Sequence, residues 1–421
     1  MRENRKKSNL LLIVAVLCIC LCGCTKKQEE KVEITFIHGW GSTEADHVAM
    51  RQIYRDFEKE HPQIHLNMIS MPSSTDVVGK VGDLLTVGEI PDIVFTGGDG
   101  RDSIYNFMVQ KGYAVNLIPY IKADKEFAEN ISPFIVEDWL TENGELYTVS
   151  DVLLMGGYWY NQKIFEEAGI EKAPGTWEEW YEACEKIEEM NRRMGKNIIP
   201  LILDANHVEY LTAAILVNED AGNSENVEKD GINAYSFSFG NALKQLERIS
   251  EHAELAGDFN YLDTLSSFNK EKSAVYVNGV WANFMIDTSI PAAYAAFPSE
   301  DGKGISTLSA CVGYILGETG DEKRVKASVE FLKYMLSEPV AEKILKLTGQ
   351  VPSNPKIEIT EENSSERMKQ AVSCVQSAGK IVDAPENLGN LRQKDEYGEN
   401  VILYLQKRIT EKELRKRITN M

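Results

Sequence analysis

Four sets of residues in this sequence have types and spacings that could do chemistry. His38, His47, His61 and His65 lie close together early in the chain and raise metal binding; only His38 directly follows a strand-like run, while His47 and His61 fall in a helix and at its end. Gly97-Gly98-Asp99-Gly100 is glycine-rich, but no Gly-Lys-Ser/Thr follows it, so a phosphate loop is weakly supported. Carboxylates are plentiful, 65 Asp plus Glu against 45 Lys plus Arg, and glycoside hydrolysis needs two of them either side of one bond. No spacing singles out such a pair, and Asp204, Glu178 and Glu179 are ordinary in so acidic a chain. The fourth set is aromatic and hydrogen-bonding side chains near the ends of strand-like runs: Trp40, Asp99, Asp151, Tyr158, Trp281 and Asn283. A ring face takes up C–H surface by stacking, while carboxylates and amides supply paired acceptors and donors; together they match the two kinds of surface a carbohydrate presents.

The elements that must position these side chains follow from periodicity. Val32 to Ile37 alternates as a strand, Ala45 to His61 reads as a helix with Val48, Ile53 and Phe57 inward, and Ile64 to Ile69 reads as the next strand. Strand, helix, strand is a βαβ unit and implies a parallel sheet. A helix at Val77 to Val87 and a strand ending at Phe95 repeat the pattern. In open α/β sheets the ligand crevice lies beyond the carboxyl ends of the strands, where Trp40 and the Gly97-Gly98-Asp99 loop fall. Further on, an aromatic run (Tyr158 to Tyr160) meets a helical turn ending at Gly169. Tyr158 to Tyr160 alternate, so at most one face of the run sees a cleft. Thr176 and Glu179 have capping-box spacing, and Trp177, Trp180, Tyr181, Cys184, Ile187 and Met190 follow as the buried stripe of a helix. Asn206 to Val217 and Phe237 to Glu254 read as helices.

Composition bounds the partners. The chain has 421 residues and a formal net charge of −20. Its first residues carry Arg2, Arg5, Lys6 and Lys7, then an apolar run from Leu10 to Cys22, too short for a spanning helix of about 20 residues. Leu21-Cys22-Gly23-Cys24 fits the lipobox of bacterial lipoproteins, which predicts a signal peptide over 1–23, a lipidated N-terminus at Cys24 and a polar tether over 24–31. Losing those four bases together with Glu3 would take the net charge from −20 to −23. So acidic a surface argues against nucleic acid or anionic lipid as partner. Four of the seven cysteines lie at or before Cys24, and Cys184, Cys311 and Cys374 have no metal-ligand spacing, so buried thiols are expected rather than a disulfide framework. About 400 remaining residues predict two large lobes.

Gly156-Gly157-Tyr158-Trp159-Tyr160-Asn161 through Ala168-Gly169-Ile170, then Pro174, Thr176-Trp177 and Glu179, closely resembles the signature of the extracellular solute-binding proteins of ABC importers (family 1), the sugar-binding group that includes maltose-binding protein. Phe268 to Ala282, ending in Gly279-Val280-Trp281-Ala282, resembles a second long segment of that family. Pro91-Asp92-Ile93-Val94, Ala114 to Ile121, Gly144 to Val149, Tyr294 to Pro298 and Ala327 to Pro352 resemble shorter ones, in order. The chain departs from the family pattern at Ser150-Asp151, where many relatives have a proline, and at Ala310 to Gly313, where a glycine pair is common.

The resemblance implies an α/β, two-lobed, periplasmic-binding-protein-like fold of type II, each lobe a mostly parallel sheet flanked by helices, with a hinge between the lobes. Lobe I is expected over 32–147 plus 286–316 and lobe II over 148–285 plus 317–421, with crossovers near Tyr147, near Met285 and after Leu316. It further implies a non-enzymatic, monomeric lipoprotein on the extracytoplasmic face, capturing a mono- or oligosaccharide between the lobes for membrane permease subunits, with no cofactor and no metal. Relatives place a stacking tryptophan where Trp281 stands. Asp99, Asp151 and Asn283 are hydroxyl partners by position, with Trp40 and Tyr158 as further aromatics. The alternatives are a secreted carbohydrate-active hydrolase, or a receptor for a metal or small polar solute.

Overall fold

A computed structural model describes residues 31–96, 104–205, 207–219, 237–256, 261–382 and 394–419. In chain order its strands are β1 (Val32–His38), β2 (Ile64–Ser70), β3 (Ile93–Phe95), β4 (Thr148–Val149), β5 (Val152–Gly156), β6 (Tyr158–Asn161) and β7 (Ile199–Asp204). There follow β8 (Ala253–Ala256), β9 (Ser273–Val277), β10 (Ala292–Ala295), β11 (Ile305–Ser309), β12 (Tyr314–Leu316), β13 (Val351–Pro352) and β14 (Lys380–Val382). Cys24 and Asp99 lie outside the described residues.

Lobe I is built on a sheet of order β2-β1-β3-β12-β4. β1 runs parallel to β2 and β3, as the βαβ reading requires, and β12 enters antiparallel between β3 and β4. The helix Ala45–Glu60 packs on it through Met50, Ile53, Tyr54 and Phe57. Val48, expected inward, is exposed, because Met50 and Tyr54 continue the Ile53–Phe57 stripe and leave Val48 on the outer side.

Lobe II carries a sheet of order β10-β6-β9-β7-β8. β7 is parallel to β8 and β9, whereas β6 runs antiparallel to both its neighbours. The helix Trp177–Met194 starts where the sequence predicts, with Thr176 accepting from the Glu179 amide at 3.2 Å while Glu179 accepts from the amides of Thr176 and Gly175. It ends at Gly195 in the left-handed region, φ 64°. Trp177, Trp180, Tyr181, Cys184, Ile187 and Met190 are all buried along it, and the cap contributes about 1 kcal/mol.

A third sheet, β13-β5-β11-β14, is made of the segments that pass between the lobes. β5 leads from β4 in lobe I to β6 in lobe II, and β11 leads back from β10 to β12. They pair antiparallel, Leu308 opposite Met155, while β13 pairs β5 at Val351 opposite Leu153. The crossings thus fall at 150–156, 296–313 and 349–352, which moves two of the expected boundaries. Residues 286–295 stay in lobe II, where β10 pairs β6 and Ile286, Ile290 and Tyr294 enter its core. The helices Glu322–Met335 and Glu338–Thr348 return to lobe I, burying Val325, Phe331, Leu332 and Ile344 against β1 and the helix Ala45–Glu60.

Candidate functional site between the lobes

The register of lobe I lines up His38, Phe95, Tyr314 and Val149 across one edge of its sheet. This is the carboxyl end of β1, β3 and β4, the edge where ligands of open α/β sheets bind. Trp40 follows β1 there, half-buried, with its ring stacked on Phe95 (centroids 5.8 Å, 24°) and edge-on to His47 at 4.9 Å. Arg51 holds the turn by donating to the carbonyls of Trp40 and Ser42. Phe95 in turn packs on Tyr314 at 4.6 Å, and the Tyr314 hydroxyl donates to Asp151 Oδ2 at 2.7 Å.

Asp151 is the pivotal group of this rim. It sits in the crossing from β4 to β5 and is 2 % exposed. Oδ1 is buried and has no hydrogen-bond partner among the described residues. Burial pushes its carboxyl up to about 6, the Tyr314 hydrogen bond opposing that rise. A buried acceptor left unmatched costs about 1–3 kcal/mol, so Oδ1 is suited to a donor that arrives with a ligand. Thr96, just past β3, likewise has a buried, unmatched Oγ1.

The opposite rim is formed by the carboxyl ends of β7 and β9 with the start of β6, Tyr158 lying opposite Val277. Trp281 is half-buried on a short 3-10 helix, Val280–Phe284, and lies over Gly279. A β-carbon on Gly279 would come within 1.9 Å of the indole, so glycine is required for that close approach. The Tyr210 ring is 6.0 Å from Trp281, and its edge lies against Gly156 at the end of β5. β5 and β11, each 5 residues, run from one rim to the other, a span of about 17 Å at about 3.4 Å per residue.

Two of the expected ligand contacts are placed elsewhere. Tyr158 is fully buried, edge-on to Trp180 at 4.9 Å, and belongs to the core under the helix Trp177–Met194. Its neighbour Trp159 points into the separate core on the other face, so both faces of β6 are covered and neither serves a cleft. Asn283 is also turned away: its Oδ1 accepts from Arg367 Nε at 2.7 Å and its amide donates to Ser365 at 3.3 Å, tying the 3-10 helix to the helix Glu366–Gln376.

The four histidines do not converge on one site among the described residues. His38 is fully buried, Nδ1 accepts from the Trp40 amide and Nε2 bonds the Ser70 hydroxyl; burial, helped by Arg51 and His47, lowers its pKa to about 3. Glu44, Asp46 and His47 converge closely enough to hold an ion, but His47 Nδ1 accepts from the Ser42 amide at 3.1 Å, which leaves the proton on Nε2 facing Glu44. His61 and His65 face Phe57 carbonyl and Glu58. On the second rim Asp204 has both oxygens engaged, by His207 and Thr264.

A groove of about 480 Å³, lined by Thr35, Asn67, Ile90 and Arg324, lies off the carboxyl edge of lobe I. Beside it Arg324 pairs at 2.5 Å with buried Asp92, which also accepts from the Thr35 amide, a brace between strands and helix. Tyr54, whose hydroxyl lies 3.3 Å from that of Tyr314, and Tyr210, Tyr314 and His207 are not marked as site residues by the sequence. A signal existed for His207, which stands just past a strand end; Tyr54 and Tyr210 lie inside helical patterns that do not distinguish a rim from a core.

The sequence profile of the family described as bacterial extracellular solute-binding protein matches residues 40–342. This chain belongs to that family. Among solute-binding relatives it is similar to the multiple sugar-binding protein of Streptococcus mutans, 25 % identical over 347 residues covering 77 % of this chain and 76 % of that protein. A Streptococcus pneumoniae solute-binding protein in complex with the blood group A-trisaccharide superposes with a TM-score of 0.75 at 23 % identity, covering 92 % of this chain and 98 % of the other. A chitin oligosaccharide binding protein does so with a TM-score of 0.78 at 19 % identity, covering 93 % and 98 %. The two-lobed fold of these solute-binding proteins is the fold seen here, and the family's work is extracytoplasmic. Among the described residues no helix is long and apolar enough to cross a membrane.

Proposed function

We propose that this chain captures a mono- or oligosaccharide between its lobes and delivers it to the permease of an ABC importer, as a monomer without catalytic activity, anchored to the outer face of the cell membrane by lipid on Cys24. The observation that carries the reading is Asp151 Oδ1, a buried and unmatched acceptor at the lobe I rim beside the Trp40–Phe95–Tyr314 ring stack. Trp281 offers the stacking face on the other lobe, and Asp99, which follows β3 in the sequence, remains a candidate contact. A ligand touching both rims stabilises the closed arrangement over the open one. Sugar binding by the relatives named above supports the ligand class, and Leu21-Cys22-Gly23-Cys24 supports the anchor.

The test is a thermal-shift screen with maltose, chitotriose and the blood group A-trisaccharide, followed by calorimetric titration of the best hit on wild type and Trp281→Ala. Saturable binding weakened at least tenfold in the variant is the expected result. Equal affinity would remove Trp281 from the site, and release of shortened products from the sugar would overturn the non-enzymatic reading.

A further inference from the structure

The second rim holds a polar assembly that neither the family's fold nor the lobe I site accounts for. Asp204 ends β7 with its carboxylate 2 % exposed. Oδ1 accepts from the His207 amide at 3.0 Å and from His207 Nδ1 at 2.8 Å, and Oδ2 accepts from the Thr264 hydroxyl at 2.8 Å. Burial opposes ionisation of Asp204, but the His207 ring and these donors outweigh it and hold the carboxyl below its ordinary range. An ionised Asp204 can only accept, so Nδ1 carries the proton and, in the neutral imidazole, the lone pair is on Nε2.

Nε2 has no partner among the described residues, although His207 itself is only 7 % exposed. Its ring lies 6.4 Å from Tyr210, and Tyr210 lies 6.0 Å from Trp281. The edge of lobe II thus carries a line of neighbouring rings, from half-buried Trp281 through buried Tyr210 to His207, a hydrogen-bond acceptor whose tautomer is fixed by a carboxylate. Orienting a ring this firmly has a use if Nε2 meets a donor.

We propose that His207 is a ligand-binding residue, its Nε2 accepting from a hydroxyl of the bound carbohydrate, with Asp204 and Thr264 as the residues that position it. This rests on the carbohydrate reading above. A pair that served only to fasten β7 to the helix Val208–Glu219 would leave Nε2 indifferent to ligand.

Protein labelled with 15N-histidine is titrated with whichever of maltose, chitotriose and the blood group A-trisaccharide gives the largest thermal shift. The Nε2 resonance of His207, assigned by its loss in His207→Gln, is expected to be of the acceptor type and to move upfield on saturation. His207→Ala is expected to weaken binding tenfold or more, and Asp204→Asn to weaken it by releasing the ring. If a variant does not fold, the wild-type titration decides alone. A sugar that binds in a Trp281-dependent way while Nε2 stays fixed overturns this inference and leaves the carbohydrate reading standing. Failure of all three sugars to bind counts against both.

Discussion

Trp281 and Gly279 are a pair rather than two residues, since the indole occupies the space a side chain at 279 would fill. Trp281→Ala removes the proposed stacking face, and a central aromatic of this kind contributes about 2 kcal/mol or more, about 30-fold in Kd. Gly279→Ala should weaken binding comparably while keeping the indole, because the ring must swing off the rim; calorimetry on both variants with the best sugar of the screen checks this, and wild-type affinity in Gly279→Ala would mean that ring position is immaterial. Asp151 gives a pH dependence. Its folded pKa is raised from 3.8 to about 6, so between those values the folded state holds a proton the unfolded chain has lost. Stability therefore falls as pH rises through that window, by up to a sum on the order of 3 kcal/mol, and is regained on acidification. Asp151→Asn should flatten that slope in denaturant titrations from pH 4 to 7. A ligand hydroxyl on Oδ1 favours the ionised carboxylate, so wild-type affinity is expected to rise with pH through about 6; an affinity that does not change there would separate Asp151 from the ligand.

The elements that hold these residues were legible to different degrees. Local signals carried the helix Trp177–Met194 completely: Thr176 and Glu179 cap it in both directions, and its buried stripe is the one periodicity predicts. Thr176→Ala should accordingly cost about 1 kcal/mol in chemical denaturation without altering affinity, since the helix lies behind the sheet, away from both rims. Residue contacts set by distant partners were not legible. Tyr158 looks like a strand-end aromatic until β10 is seen to pair with β6 and Phe297 closes over the ring, and Asn283 looks free until Arg367, 84 positions away, is placed against it. The same limit displaced the lobe boundaries, because an apolar stripe such as Val325–Phe331–Leu332 shows that a helix is buried but not which lobe buries it. Gly313 marks the return crossing: a β-carbon there would lie 2.0 Å from the Val149 carbonyl oxygen. Gly313→Ala should destabilise the fold by about 1–3 kcal/mol through that clash of backbones, read as a lower denaturation midpoint; an unchanged midpoint would show that the crossing is free to move apart.

At the scale of the molecule, the two lobes are joined by short strands, and each rim carries its own part of the proposed site: Trp40, Asp151 and the Tyr314 ring on one, Trp281, Tyr210 and His207 on the other. Such a division makes closure depend on ligand chemistry. A ligand that binds open and closed forms equally shifts nothing, however tightly it is held, and moving the population from 1:99 to 99:1 takes about 5.5 kcal/mol of preference for the closed form. Micromolar binding corresponds to about 8 kcal/mol, so closure requires that most of the interaction be made only when both rims engage. Trp281→Ala removes one rim's proposed stacking surface while leaving Asp151 and Trp40 in place; a loss of about 2 kcal/mol takes a 99:1 preference for the closed form to about 3:1, so binding should weaken and closure become incomplete. Small-angle scattering at saturating sugar is expected to show a smaller radius of gyration for the wild type and a lesser contraction for the variant, even at concentrations that fill its site. A wild type that does not contract, or a variant that contracts as fully, would mean that the lobes close without the contacts assigned to them here.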